Sequence, residues 1–187
     1  MSSARWVGGV SGVVIIGVAA LAVARDFRRV RLQDRCEPES FNAAIGAGTC
    51  VGEGNVTFER FIEELGEEQE VGGWRFDRDE VELEPGEPLK LENTGGEVHT
   101  FTAVAEFGGG FVPDINAVGG TPVPAPECAT MLGDGTLVPR PPSPSNLFLP
   151  AGGNAFLGSG RGTVLPKGTH SFQCCVHPWM RTIVHVR

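Results

Sequence analysis

The chain has 187 residues, a formal charge of −8 and a pI near 5.0, with 41% hydrophobic residues, 27 Gly, 14 Pro and no Tyr. That apolar content suffices for a core and excludes wholesale disorder. Nucleic acid is excluded as a partner too, because an acidic chain lacks the clustered Lys and Arg that neutralise phosphates. The charge is uneven: residues 1–35 hold six Arg against two Asp, while residues 36–187 hold nine basic and twenty-one acidic side chains, seventeen of the acids before His99.

Residues 6–24 are nineteen uncharged residues between Arg5 and Arg25. As a helix they span about 28 Å, close to the hydrocarbon thickness of a bilayer, so residues 1–24 read as a membrane-targeting segment. Ala22-Val23-Ala24 has the small-x-small form that a signal peptidase cuts. Against cleavage, Arg25, Arg28, Arg29, Arg31 and Arg35 resist translocation, and the positive-inside rule would even place the C-terminal part of the chain in the cytoplasm. Cleaved signal and retained anchor both stay open; an anchor carrying an exported domain is our reading.

Residues 25–70 read as a linker. A stalk or irregular cap is expected over 25–52, with Cys36 and Cys50 bracketing small residues. Phe58, Phe61, Ile62 and Leu65 fall at i, i+3, i+4 and i+7, which predicts one short amphipathic helix over 57–69. Its solvated side carries Glu59, Glu63, Glu64, Glu67 and Glu68.

From Gly72 the period becomes two. Trp74 and Phe76, Val81 and Leu83, then Leu89 and Leu91 alternate with polar residues, and Pro85-Gly86 marks a turn. Residues 98–104 continue as strand. Residues 107–153, rich in Gly and Pro, predict a long loop that is functional or an insertion. Strands resume near 154–157, 162–165, 170–175 and 182–186. Short strands between turn signals predict an all-β domain over 71–187, an antiparallel sandwich or barrel.

Chemistry concentrates in Ser171-Phe172-Gln173-Cys174-Cys175-Val176-His177-Pro178-Trp179-Met180-Arg181, which spaces a thiol, an imidazole and a thioether as C-x2-H-x2-M. A soft thiolate with imidazoles and a weak thioether suits copper cycling between two oxidation states. Such a site needs a second imidazole, and His99 supplies it at a strand entry after Gly95-Gly96. Met131 reads instead as a core methionine, and His170 and His185 as surface residues.

These two segments resemble the cupredoxin family of type 1 (blue) copper proteins, the plastocyanin and amicyanin group, over about residues 72–187. The resemblance implies a Greek-key β-sandwich holding one type 1 copper ion, with His99, Cys174 and His177 as equatorial ligands and Met180 as the axial one. Phe172 matches the aromatic of the family's ligand strand, and the short ligand loop is most similar to amicyanin's. An electron carrier rather than an enzyme is implied, with the edge of His177 near the surface as the port and Pro178 and Trp179 in the apolar patch around it. Its partner would be a redox protein such as a cytochrome or a respiratory complex, steered by the acidic face. A copper-binding module for storage, delivery or sensing is the alternative.

Departures from the family pattern matter as much. Val176 and Thr100 stand where many relatives have Pro and Asn, so the bonds joining the two ligand loops do not follow from the resemblance. Gln173 and Cys175 flank Cys174 in place of the His residues of copper oxidases, and the Cys174-Cys175 doublet lacks the spacing of a binuclear purple centre. Adjacent strand side chains face opposite ways, and the C-x2-H spacing selects Cys174 as the inward one. With Cys174 on the metal, Cys36, Cys50, Cys128 and Cys175 allow three pairings. Cys36–Cys50 with Cys128–Cys175 is our expectation, and paired thiols place the domain in the periplasm or at the cell surface.

Overall fold

The computed structural model describes residues 28–158 and 164–187. The targeting segment expected at 6–24 and the first two residues of the strand expected at 162–165 lie outside the described residues. Among the described residues, no helix is long and apolar enough to cross a membrane.

The chain runs through β1 (Arg28–Gln33), α1 (Pro38–Ala44) and α2 (Phe58–Glu68), then β2 (Arg75–Phe76), β3 (Glu80–Leu83), β4 (Leu89–Asn93) and β5 (His99–Val104). There follow α3 (Pro113–Val118), β6 (Ala129–Met131), β7 (Leu137–Pro139), β8 (Asn146–Leu149), β9 (Asn154–Leu157), β10 (Gly168–Gln173) and β11 (Arg181–Val186). One sheet has the order β2-β1-β4-β9 and the other β3-β11-β10-β5-β8, with β6 and β7 paired separately.

Period-two alternation builds the core between the sheets. Val30, Leu32, Leu89 and Leu91 turn inward from one sheet, and Val81, Leu83, Phe101, Phe172, Val184 and Val186 from the other. Phe101 stacks on Phe172 at 4.4 Å between centroids, and Phe76 reaches Phe101 at 5.3 Å. At Pro85-Gly86 the chain passes from β3 in one sheet to β4 in the other, with Gly86 at φ 79°, a conformation that a side chain would strain.

Three features depart from the sequence expectation. The sandwich is mixed rather than antiparallel, because β1 runs parallel to β4 and β11 parallel to β3. Those partners are not joined by hairpins, so nothing forces them to be antiparallel. The stretch 25–52 is no stalk in its described part: it supplies β1 and α1. Its arginines had masked an alternating strand, in which Val30 and Leu32 enter the core while Arg29 and Arg31 pair outward with Glu92 and Asp77 at 3.4 and 3.3 Å.

The long loop at 107–153 is also subdivided, into α3, the β6–β7 pair and β8. Strand β8 pairs with β5 so that Leu149 lies opposite His99. It was hidden because only Asn146 and Leu149 of its four residues are buried, which breaks the alternation.

The helices cap one end of the sandwich. In α1 the Glu37 carboxylate accepts the Glu39 and Ser40 N–H groups and Pro38 opens the first turn, both favourable at a helix start. Helix α2 follows the predicted spacing, with Thr57 as its cap and Phe61 and Leu65 buried, while Ile62 stays 40% exposed. Phe61 lies 4.8 Å from Trp74 and 5.6 Å from Phe41 between centroids, an aromatic cluster that docks both helices on the sheets.

Candidate metal centre

His99 opens β5, opposite Leu149 of β8, so its ring is fixed by pairing on a strand rather than hung from a loop. Cys174 follows directly on β10, whose Phe172 packs into the core two residues earlier. The chain then turns: the Met180 N–H donates to the His177 carbonyl at 3.0 Å, and the Cys174 N–H donates to the Met180 carbonyl at 3.0 Å. Those two bonds close the Cys174–Met180 loop before β11 begins. Met180 is buried at its end.

The fold brings His99, Cys174 and His177 together, with one donor atom from each within 4.8 Å of the others. His99 Nδ1 lies 3.8 Å from Cys174 Sγ, and the two imidazole rings are 5.2 Å apart between centroids. Cys174 is the free cysteine, fully buried; Cys36–Cys50 and Cys128–Cys175 are bonded. Cys175 turns away from the cluster into a separate apolar group with Val104, Ala125 and Cys128, as strand alternation requires. His170 bonds the Pro166 carbonyl and His185 meets Thr169, both away from the cluster. Met131 is not a core residue: it is 46% exposed, on the small β6–β7 pair.

Two carboxylates that sequence reasoning missed stand behind the imidazoles. Asp34 Oδ2 lies 2.8 Å from His99 Nε2, and Glu97 Oε2 lies 3.5 Å from His177 Nε2 while accepting the Trp74 indole N–H at 2.5 Å. Glu97 sits two residues before His99 and was open to recognition as a neighbour. Asp34 carries no local signal, being sixty-five residues from its partner. It enters because Gly95 has no side chain: a Cβ there would overlap the Asp34 carboxylate.

Electrostatics follow from this enclosure. Burial works against the charged forms of Asp34, His99 and Cys174, and their mutual contacts overcome it. The His99 ring and the Glu97 and Gly96 N–H groups bring Asp34 down to about 2, and Asp34 with Cys174 lifts His99 to about 9. The His177 and His99 rings hold the Cys174 thiol well below its ordinary value. Glu97 goes the other way, because burial dominates and raises it. In the metal-free protein these contacts favour the charged forms of His99, Cys174 and Asp34 together. His177 Nδ1 is buried with no hydrogen-bond partner.

The sequence expectation of an accessible His177 edge is corrected. His177 is 1% exposed, because Phe61, Trp74 and Trp179 ring it at 6.1, 6.3 and 5.5 Å between centroids. Phe61 belongs to the helical cap, whose apolar face was legible but whose target was not. Beside this ring lies a cleft of about 800 Å³ lined by Phe58, Ile62, Val98, Ile115 and Val118, with Phe61, Glu97 and His177 also among its walls.

No protein-family model matches the chain, and no curated protein matches it either. Among solved structures, the chain is similar to a novel purple cupredoxin from Nitrosopumilus maritimus at 11% identity, covering 86% of this chain and 99% of that one, with a TM-score of 0.39. It is also similar to a mutant plastocyanin of fern at 14% identity, covering 85% and 99%, with a TM-score of 0.38. A copper(I) form of an amicyanin variant covers 60% of this chain and 73% of its own at 16% identity, with a TM-score of 0.34.

Proposed function

We propose that this chain is an exported type 1 copper protein that carries single electrons by Cu(I)/Cu(II) cycling. His177 Nδ1 carries the reading: it is a buried nitrogen without a partner, in a cluster completed by the Cys174 thiolate and His99. Leaving such an atom unpaired costs about 1–3 kcal/mol, and a metal ion would remove that cost. A soft thiolate with two imidazoles fits copper, which when bound supplies a one-electron couple. In this reading His99, Cys174 and His177 would hold the ion as strong donors, and Met180 would add a weak thioether. No position is left for a substrate, which fits a carrier rather than an enzyme.

The loop closed by the Cys174–Met180 backbone bonds keeps the donors in place, so the protein rearranges little as an electron passes. Electrons cross at the His177 wall of the apolar cleft. The partner is a redox protein with a basic face, steered by the acids of α2. The two disulfides fit a periplasmic or cell-surface location, with residues 6–24 as export signal or membrane anchor.

Optical spectroscopy of the copper-loaded protein tests this. An intense visible thiolate-to-Cu(II) band is expected, and its absence overturns the reading. The burial of His177 favours a second one, copper storage or delivery. Tight copper binding with sluggish stopped-flow electron exchange would select it.

A further inference from the structure

Asp34 is an acid with an unusual share of donors. Its side chain is 1% exposed, and besides His99 Nε2 it accepts the N–H groups of Gly96, Glu97 and Cys36 at 2.9, 3.0 and 3.2 Å. A carboxylate held by so many donors is ionised, and an ionised carboxylate only accepts. The proton between the two groups therefore belongs to His99 Nε2. When that ring is neutral its lone pair lies at Nδ1, the atom 3.8 Å from Cys174 Sγ.

His177 repeats the arrangement more loosely. Glu97 stands on its Nε2 side at 3.5 Å, anchored by the Trp74 indole, and Nδ1 is again the nitrogen left for another partner. Each imidazole thus has a buried carboxylate behind it and shares the cluster with Cys174. The nearer carboxylate comes from the residue that follows β1, two residues before the Cys36–Cys50 disulfide and outside the stretch that resembles known copper sites.

We propose that Asp34 and Glu97 are positioning residues of the metal centre: each holds the Nε2 side of one imidazole so that both Nδ1 atoms are presented with Cys174 Sγ, and the Asp34 charge favours the oxidised ion over the reduced one. The inference rests on reading His99, Cys174 and His177 as the copper ligands. Its physical basis is general. A carboxylate behind a ligand imidazole fixes the tautomer and makes the ring a stronger base, and a fixed negative charge in a closed site stabilises the more positive metal ion more.

The test compares full-length wild type with Asp34→Asn, which keeps the shape and removes the charge. Zn(II) affinity by competition with a chelator should fall about 10–100-fold, and ¹⁵N shifts of the Zn(II)-bound protein should show His99 metallated at Nδ1 and protonated at Nε2 in wild type. The copper midpoint potential should rise in the variant, by about 59 mV for each tenfold change in relative affinity for the two oxidation states. A folded Asp34→Asn protein with unchanged Zn(II) affinity and potential overturns the proposal. Should that variant not fold, Glu97→Gln carries the test through Zn(II) affinity, and unchanged binding again overturns it. The two readings separate cleanly. A visible copper band with no Asp34 effect sinks the positioning role alone, whereas Asp34-dependent Zn(II) binding without such a band sinks the electron carrier and upholds the positioning role.

Discussion

The Thr100 hydroxyl accepts the Cys175 N–H at 2.7 Å, tying the strand that carries His99 to the segment that carries Cys174. The same hydroxyl lies 2.9 Å from Thr102 Oγ1, whose hydroxyl donates to Asn146 Oδ1 at 2.7 Å. Thr100 therefore serves where the family pattern led one to look for Asn. Thr100→Val keeps the shape and leaves the buried Cys175 N–H unpaired, a loss of about 1–3 kcal/mol. Urea unfolding of the metal-free protein would show it as a lowered midpoint; an unmoved midpoint would mean that the tie is dispensable.

The adjacent cysteines should separate by readout. Cys174→Ser is expected to abolish the visible copper band. Cys175→Ser should leave the band and remove the link to Cys128, which spans forty-seven residues of sequence, at a cost of about 2–4 kcal/mol. Paired absorption and thermal-melting measurements on both variants decide the assignment, and a band lost only in Cys175→Ser reverses it.

Linked titration gives an unusual pH profile for the metal-free protein. His99, raised to about 9 by Asp34 and Cys174 against burial, contributes stability that is whole below about 6.5 and lost as pH climbs to about 9. Cys174, lowered by the two imidazoles against burial, contributes stability that grows with pH up to the ordinary thiol value. Across pH 6.5–9 the two contributions run in opposite directions, that of His99 falling and that of Cys174 rising, so they offset each other in the wild type. Cys174→Ser removes one side of the balance and its stability should fall over that window. Below pH 4, loss of the Asp34 contribution as its carboxylate protonates toward about 2 should destabilise both proteins. Denaturant titrations at pH 3, 6 and 9 check the three limbs; a steep wild-type slope between 6 and 9 would contradict this pairing.

The aromatic cover over His177 predicts a trade of stability for access. Phe61→Ala removes a ring packed on Trp74, Phe41 and His177, at a cost of about 3–5 kcal/mol, and bares more of the imidazole at the cleft wall. Faster electron exchange of the copper-loaded variant with a small inorganic oxidant is expected, by stopped-flow. Ile62→Ala, on the exposed side of α2, should change stability by far less. Equal rates in wild type and Phe61→Ala would show that the cover does not limit exchange.

Legibility in the sequence tracked distance along the chain. The spacing from Cys174 to Met180 is local and the cluster of Cys174 with His177 forms within it; His99 was found because its strand entry has a turn signature. The alternation of Trp74 through Leu91 marked the strands, though not which sheet each joins. Strand β1 was concealed by arginines that pair outward, since charge content outweighs period when a segment is read by composition. Asp34 was invisible for a stricter reason. Its meaning comes only from a ring nitrogen reached through tertiary packing, past Gly95, whose missing side chain leaves the space.

The wide separation of the cluster's parts also governs when it can exist. Asp34 and His99 are sixty-five residues apart, and His99 and Cys174 seventy-five, so the contacts that join His99 to Asp34 and to Cys174 wait on long-range closure, an intrinsically slow event in folding. Before β5 pairs with β10, the Cys174 thiol lacks the His99 imidazole and the full shelter of the core. Burial of that thiol and assembly of the donor set are then one event. Metal uptake becomes a report of completed folding, and the reactive sulfur is withdrawn from mispairing with the four disulfide cysteines at the moment it becomes a ligand.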